Sequence, residues 1–321
     1  MNSIRKLLLV VLLIAFAAIA KPEKLSHPEA DRLAKKAVES TLRARYADAW
    51  LAADSLQLLL PNHPAGALFH ALASFSRYDD LSEVADLRRA SRKLRIADSL
   101  ATRLGDPFWI GMTEYERGYE MTIWRSEIKG ALTIRSGAKK LARLTDNVDA
   151  QAMSAIYDYY FTDAMAWVPF LADKREEAIS RMERGIAQSH YFSSLYRSAL
   201  VWVFWEKGEI HRGLAVVNPI VERYPTNRIF LQARGDLLRR GKQYTAALEA
   251  YQKSLSIYRR VAPKSVRHLC AKGNLVLIYH HLGNYGEAQK YAKEFLRELP
   301  PLEDRMPETL MSELKNSGYI K

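Results

Sequence analysis

The chain has 321 residues, 48% of them hydrophobic and 26% charged, with 15 Gly and 12 Pro, so collagen-like, low-complexity and disordered classes are excluded. Its formal net charge of +12 favours acidic partners. A single cysteine, Cys270, excludes an internal disulfide and a four-cysteine zinc site.

Residues 1–20 read as an address. Arg5 and Lys6 form a basic start, Leu7 to Ala18 an uncharged apolar run, and Ala18-Ile19-Ala20 a small-residue exit. This order defines a secretory signal peptide, with cleavage expected after Ala20. The run from Leu7 to Ala20 is shorter than the roughly 20 residues that span a bilayer. The mature chain is therefore expected to be periplasmic or secreted. Losing Arg5 and Lys6 lowers its net charge to +10. An exported basic protein meets acidic proteins, acidic polymers or anionic lipid surfaces, and not nucleic acid.

From Pro28 onward helical periodicity dominates. Leu33–Leu60, Ser82–Arg103 and Ser126–Leu144 lack Pro and place apolar residues at steps of three and four. Glu114–Trp124 and Asp149–Phe161 read as further helices, the latter with Asp146 or Asp149 as N-cap. Alternating strand runs with Asn-Gly or Asp-Gly turns are missing. Gly and Pro punctuate the chain at Pro61, Gly105, Gly208, Pro225, Gly241, Pro263, Gly283 and Pro300. Cys270 lies among Leu269, Ala271 and Leu275, where it is expected to pack as a small core residue.

The chain also repeats itself. Gly213 and Ala247 are 34 residues apart, and Ala178 lies 35 residues before Gly213. Gly241-Lys-Gln-Tyr244 with Ala247 and Tyr251 is followed by Gly283-Asn-Tyr285 with Ala288, Ala292 and Phe295, then Pro300. Tyr46, Ala49, Ala53 and Leu56 before Pro61 have the same internal spacing. Small residues at 247 and 288 leave room for close backbone approach. Gly241 and Gly283 are expected to end helices in left-handed geometry, and Tyr251 to fill the gap between hairpins.

These residues resemble the tetratricopeptide repeat (TPR) family, whose unit is two antiparallel helices. The resemblance implies an all-α solenoid of stacked antiparallel hairpins. It runs from about Tyr196 to Pro300 and over Arg45–Pro61. Val201 and Val276 stand where the family prefers Gly, Gly241 precedes its tyrosine by three residues rather than two, and residues 105–175 carry no clean repeat. The segment from Asp149 through Tyr157, Tyr160, Trp167 and Phe170 to Lys174 is similar to one in exported bacterial TPR proteins. The expected organisation is a leader at 1–20, N-terminal hairpins at 21–104, a divergent helical middle with an apolar Pro-containing loop at 105–190, TPR repeats at 191–302 and a helical tail at 303–321.

Catalytic and metal signatures are not found. There is no G-x-S-x-G, H-E-x-x-H, G-x-x-x-x-G-K-[ST] or G-x-G-x-x-G. His280 and His281 point about 100° apart on a helix, a poor metal pair. Asp79-Asp80 and Glu176-Glu177 are sequence neighbours rather than facing carboxylates, and Glu176-Glu177 suit a helix N-terminus. No enzyme activity, cofactor or metal is expected.

Two kinds of binding candidate remain. Basic residues recur at helical spacing in Arg88/Arg92/Arg95, Arg135/Lys139/Arg143, Arg239/Arg240/Lys242 and Arg259/Arg260/Lys264/Arg267. Aromatic residues gather at Tyr157, Tyr160, Trp167 and Phe170, continuing through Tyr191, Phe192, Tyr196, Trp202, Phe204 and Trp205. The loop Ala166–Ala172 is too apolar for a solvated connection and suits a membrane surface or another protein. The lead expectation is a non-enzymatic scaffold holding a protein partner in the envelope through Tyr157, Tyr160, Trp167, Phe170, Arg239 and Arg240. The alternative is a small-ligand binder with an aromatic pocket that assists an uptake system.

Overall fold

A computed structural model describes residues 23–320 apart from 125, 169 and 171; the expected leader lies outside the described residues. Fifteen α-helices and one 3-10 helix account for the fold, with no strand among the described residues. The fold is all-α, of stacked antiparallel hairpins in a TPR-like arrangement.

The chain separates into two compact units. Among the described residues, one holds 23–26 and 101–196, and the other holds 27–100 and 197–320. The second is built from α1 (Pro28–Leu42), α2 (Tyr46–Leu59), α3 (Ala65–Leu81), the greater part of α4 (Val84–Leu104) and of α9 (Ser193–Lys207), α10 (Ile210–Arg223), α11 (Arg228–Arg240), α12 (Tyr244–Val261), α13 (Val266–His281), α14 (Tyr285–Glu298) and α15 (Glu308–Asn316). The first contains α5 (Pro107–Ile123), α6 (Glu127–Ala142), α7 (Val148–Ala164) and α8 (Arg175–Gln188).

One turn recurs at four hairpins of the second unit. Residues 44, 208, 242 and 283 all have positive φ, between 56° and 72°. The next N–H reaches back to the carbonyl five residues earlier each time: Arg45 to Ser40, Glu209 to Phe204, Gln243 to Leu238 and Asn284 to Tyr279. This is the Schellman ending of a helix, which satisfies carbonyls the helix leaves open. Gly208 and Gly283 take the conformation without steric penalty; Ala44 and Lys242 do not. Ala44 therefore divides the helical segment Leu33–Leu60 into α1 and α2, with no Gly or Pro to mark the break. Gly241 has φ −77° and is not left-handed as expected. Lys242 takes that role, which accounts for the extra residue between Gly241 and Tyr244.

Small residues then let each hairpin close. Ala247 and Ala288 are fully buried, and Tyr251, Tyr258 and Phe295 fill the space between helices at 1% exposure or less. Cys270 is buried in the same core, and burial pushes its thiol up to about 12, so it is an inert packing group. His268 is buried in α13, and burial with Lys272 nearby holds its imidazole down at about 4.

In the first unit α5 and α6 touch backbone to backbone. A Cβ on Gly118 would lie 2.5 Å from the Ile134 N and 2.8 Å from the Gly130 O; one on Gly137 would lie 2.6 Å from the Tyr115 N and 2.8 Å from the Gly111 O. Two glycines seven residues apart on each helix therefore form the seam, with 111 opposite 137 and 118 opposite 130. Asn147, not Asp146 or Asp149, caps α7, accepting the Ala150 N–H at 2.9 Å. Asp149 is instead fully buried and accepts from the Tyr196 hydroxyl (3.0 Å) and the Glu23 N–H (2.8 Å). Glu176 and Glu177 fall in the first turn of α8, where the helix dipole favours them.

Candidate interaction surfaces

The sequence directs attention first to the arginines of the repeats. In the second unit α3 packs against α11 and α13. The end of α3 carries Asp79-Asp80, two carboxylates at a helix C-terminus, where the macrodipole disfavours negative charge. Both find cationic company. Asp80 is fully buried and accepts from the Arg228 Nε at 2.9 Å, from the second guanidinium arm of Arg228, and from the hydroxyls of Tyr46 and Tyr258, each at 2.8 Å. The Arg267 Nε donates to the Asp79 main-chain oxygen at 3.0 Å. Burial pushes the Asp79 carboxyl up, against the pull of Arg267. Arg305 donates to the Ser82 oxygen at 2.6 Å. The α11–α13 face of the repeats is thus covered by α3 of the same chain.

The two repeat arginines expected to bind a partner both have neighbours within the unit, Arg239 partly buried and Arg240 exposed. Arg239 pairs bidentately with Glu313 of α15, and its side chain is only 15% exposed. Arg240 lies over the Trp205 ring at 4.7 Å and donates to the Glu206 oxygen at 3.1 Å. Arg259 faces Glu294 at 3.7 Å. Of the three, only Arg239 makes a partly buried bidentate pair between helices.

Two basic rows stand apart from this network. On α4, Arg88, Arg92 and Arg95 are exposed and belong to no ion pair among the described residues. At 100° per residue they fall within a 60° arc. The exposed residues beside them, Ala85, Ile96 and Ser99, carry no charge; of the two acids of α4, Asp86 is buried and turned to Arg77 (2.5 Å) and Arg89 (2.9 Å), while Asp98 is partly buried one turn after Arg95. On α6, Arg135, Lys139 and Arg143 form a second exposed row, likewise without an ion pair among the described residues.

The aromatic candidates divide by burial. Tyr159, Tyr191, Phe192 and Tyr196, at 2% exposure or less, form the core of the first unit with Trp109 and Met112. They fill the region where an aromatic pocket was expected. Tyr157 stacks on Phe161 at 5.5 Å, and burial pushes its hydroxyl up against the opposing charge of Arg135. Tyr160 is 38%, Trp167 78% and Phe170 104% exposed. Sequence reading missed Trp124, Ile128 and Leu132, which are also exposed. Their signal was present: Ile128 and Leu132 are four apart on the face that continues into Arg135, Lys139 and Arg143.

Among the described residues no group of His, Cys, Asp or Glu is arranged to hold a metal, and no helix is long and apolar enough to cross a membrane. His280 donates to or accepts from the Tyr319 hydroxyl at 3.1 Å, and His281 stacks on Tyr244 at 4.6 Å, so both are packed side chains.

A family model agrees with the repeat architecture over part of the chain. Residues 226–297 match a family model described as a tetratricopeptide repeat. No curated protein matches the chain. Among solved structures it is similar to PilW, described as a widely conserved type IV pilus biogenesis factor, at 13% identity and TM-score 0.48, covering 76% of this chain and 98% of that one. It is also similar to a tetratricopeptide repeat protein from Parabacteroides merdae, at 12% identity and TM-score 0.42, covering 91% and 99%. A third is human IFIT1 with a capped RNA, at 12% identity and TM-score 0.43, covering 93% and 72%.

Proposed function

We propose that this tetratricopeptide-repeat protein is a non-catalytic scaffold of the cell envelope, and that it holds an acidic protein partner on the outer arginine face of α4. Helical repeats suit the role because each hairpin presents a regular surface while its neighbours supply the core. The leader-like order of residues 1–20 supports export. The observation that carries the reading is the row Arg88, Arg92 and Arg95, exposed and without an ion pair among the described residues. Several other arginines of this unit pair with carboxylates of the same chain: Arg228 with Asp80, Arg77 with Asp86 and Arg239 with Glu313. The spacing of four and three presents guanidinium groups at successive turns, and a carboxylate can take each one bidentately.

Affinity capture from the envelope fraction tests this. Wild type is expected to retain a partner at low salt that Arg88→Glu/Arg92→Glu/Arg95→Glu does not retain. Equal capture by both proteins removes α4 as the surface. Fractionation that finds the chain in the cytosol with residues 1–20 intact removes the envelope assignment.

A further inference from the structure

The first unit gathers apolar side chains from three segments at one end. The glycine seam sets α5 and α6 antiparallel. Helix α7 runs antiparallel to α6 in turn, because Gln151 near its start donates to the Ala142 oxygen at the end of α6 (3.1 Å), while Tyr157 further along lies within the field of Arg135. This register puts Ile128 level with the last turn of α7 and Leu132 level with Phe161. The α5–α6 turn and the loop after α7 therefore share one end of the unit. Trp124 (44% exposed), Ile128 (81%), Leu132 (59%), Trp167 (78%) and Phe170 (104%) all open there. A surface of this kind is out of place on a fully solvated domain end.

The charges behind it have one sign. On α6 the apolar pair Ile128 and Leu132 continues directly into Arg135, Lys139 and Arg143. All five fall within an 80° arc and span about 22 Å at 1.5 Å per residue. All are exposed, and the three cations have no ion pair among the described residues. The single acid of α6, Glu127, lies about 100° off this face. The acids nearest the apex, Asp163 near the end of α7 and Asp173 in the following loop, share Arg175 at 3.0 Å and 2.8 Å, and Asp158 of α7 pairs with Arg181. The end thus combines large apolar rings at its apex with a basic row running back from it, the acid Asp146 lying beyond the end of α6. Apolar and aromatic groups enter the boundary between headgroups and acyl chains, and Lys and Arg meet anionic headgroups.

We propose that this end of the first unit docks on an anionic lipid surface, with Ile128, Leu132, Trp167 and Phe170 entering the interface and Arg135, Lys139 and Arg143 contacting the headgroups. The docking uses neither α4 nor its arginines, so it stands apart from the partner assigned above.

Hydrogen–deuterium exchange of the full chain with vesicles tests it, because the readout is local and separates this end from residues 1–20. Phosphatidylcholine vesicles containing phosphatidylglycerol are expected to protect residues 124–143 and 161–170, and pure phosphatidylcholine vesicles to protect them much less. Arg135→Gln/Lys139→Gln/Arg143→Gln is expected to weaken the phosphatidylglycerol-dependent protection about a hundredfold in lipid concentration, at roughly fivefold per charge. Trp167→Ala/Phe170→Ser is expected to lose it while unfolding at the wild-type temperature, since both rings are exposed. Arg88→Glu/Arg92→Glu/Arg95→Glu is expected to behave as wild type. Absence of local protection, equal protection by both vesicle types, or indifference to both variants overturns the proposal. Protection of the same residues by a captured protein but not by lipid assigns the end to a protein interface instead.

Discussion

Replacing Glu116 by Gln is expected to stabilise the protein at neutral and alkaline pH and to leave it unchanged in acid. Glu116 sits on α5 at 5% exposure, and burial alone pushes its carboxyl from 4.5 up to about 7. No cation offsets that burial, so ionisation is opposed by desolvation. The sign follows from proton occupancy. Between pH 4.5 and about 7 the folded chain keeps a proton that the unfolded chain has lost, so stability falls as pH rises through this window and is level above it. The full difference is worth about 3 kcal/mol at about 1.4 kcal/mol per decade of acidity. Glutamine has the same shape and cannot ionise. Urea unfolding followed by far-ultraviolet dichroism at pH 4.5, 6 and 8 should show the variant gaining on wild type by up to about 3 kcal/mol from the first pH to the last. Glu23, pushed up to about 7 mainly by burial and by Asp106, titrates in the same window but is common to both proteins and cancels in the difference. Parallel stability profiles for the two proteins would refute the reasoning, since they would mean that Glu116 reaches water or a counter-ion.

Substitutions at three further places check the architecture: the Asp80–Arg228 pair, the turn at Lys242, and the glycines of the first unit. Asp80→Ala removes a fully buried carboxylate and strands the Arg228 guanidinium, which should cost about 3–5 kcal/mol; Arg228→Met should cost a similar amount, and the double variant clearly less than their sum, as a double-mutant cycle in urea will show. Lys242→Gly relieves a left-handed residue at a helix end and should raise stability by about 0.5–1 kcal/mol, read as a higher thermal midpoint. Gly118→Ala forces a methyl group against the backbone of α6 and should lower stability by about 1–3 kcal/mol, whereas Gly105→Ala, with open space around its Cβ, should act only through its positive φ.

Local chemistry carried much of this fold in legible form. Helical spacing, the small residues Ala247 and Ala288 and the ring of Tyr251 all point to hairpins, because such signals act within a few turns of chain. The left-handed turn at Gly283 was equally readable. The same turn at Ala44 and Lys242 was not, because there it is imposed by the Schellman hydrogen bonds and the packing on either side rather than by residue preference. Asp79-Asp80 could be seen as an oddity at a helix end but not assigned a partner, since Arg228 lies 148 residues away. Arg239 and Arg240 look like binding residues by type and spacing, and only the structure shows that Glu313 engages Arg239 while Arg240, over the Trp205 ring, stays exposed. The glycine seam was visible as paired heptad spacings on two consecutive helices. By itself that spacing does not distinguish contact from weakness, because glycine in a helix ordinarily signals weakness.

The carboxylate under α3 also has a temporal meaning. Its four hydrogen bonds come from Tyr46, Arg228 and Tyr258, so the network can close only after residue 258 has left the ribosome. Until then Asp80 has one of its partners, Tyr46, at hand and the arginine still to come. The closing of this site is therefore a late event in the life of a newly made chain.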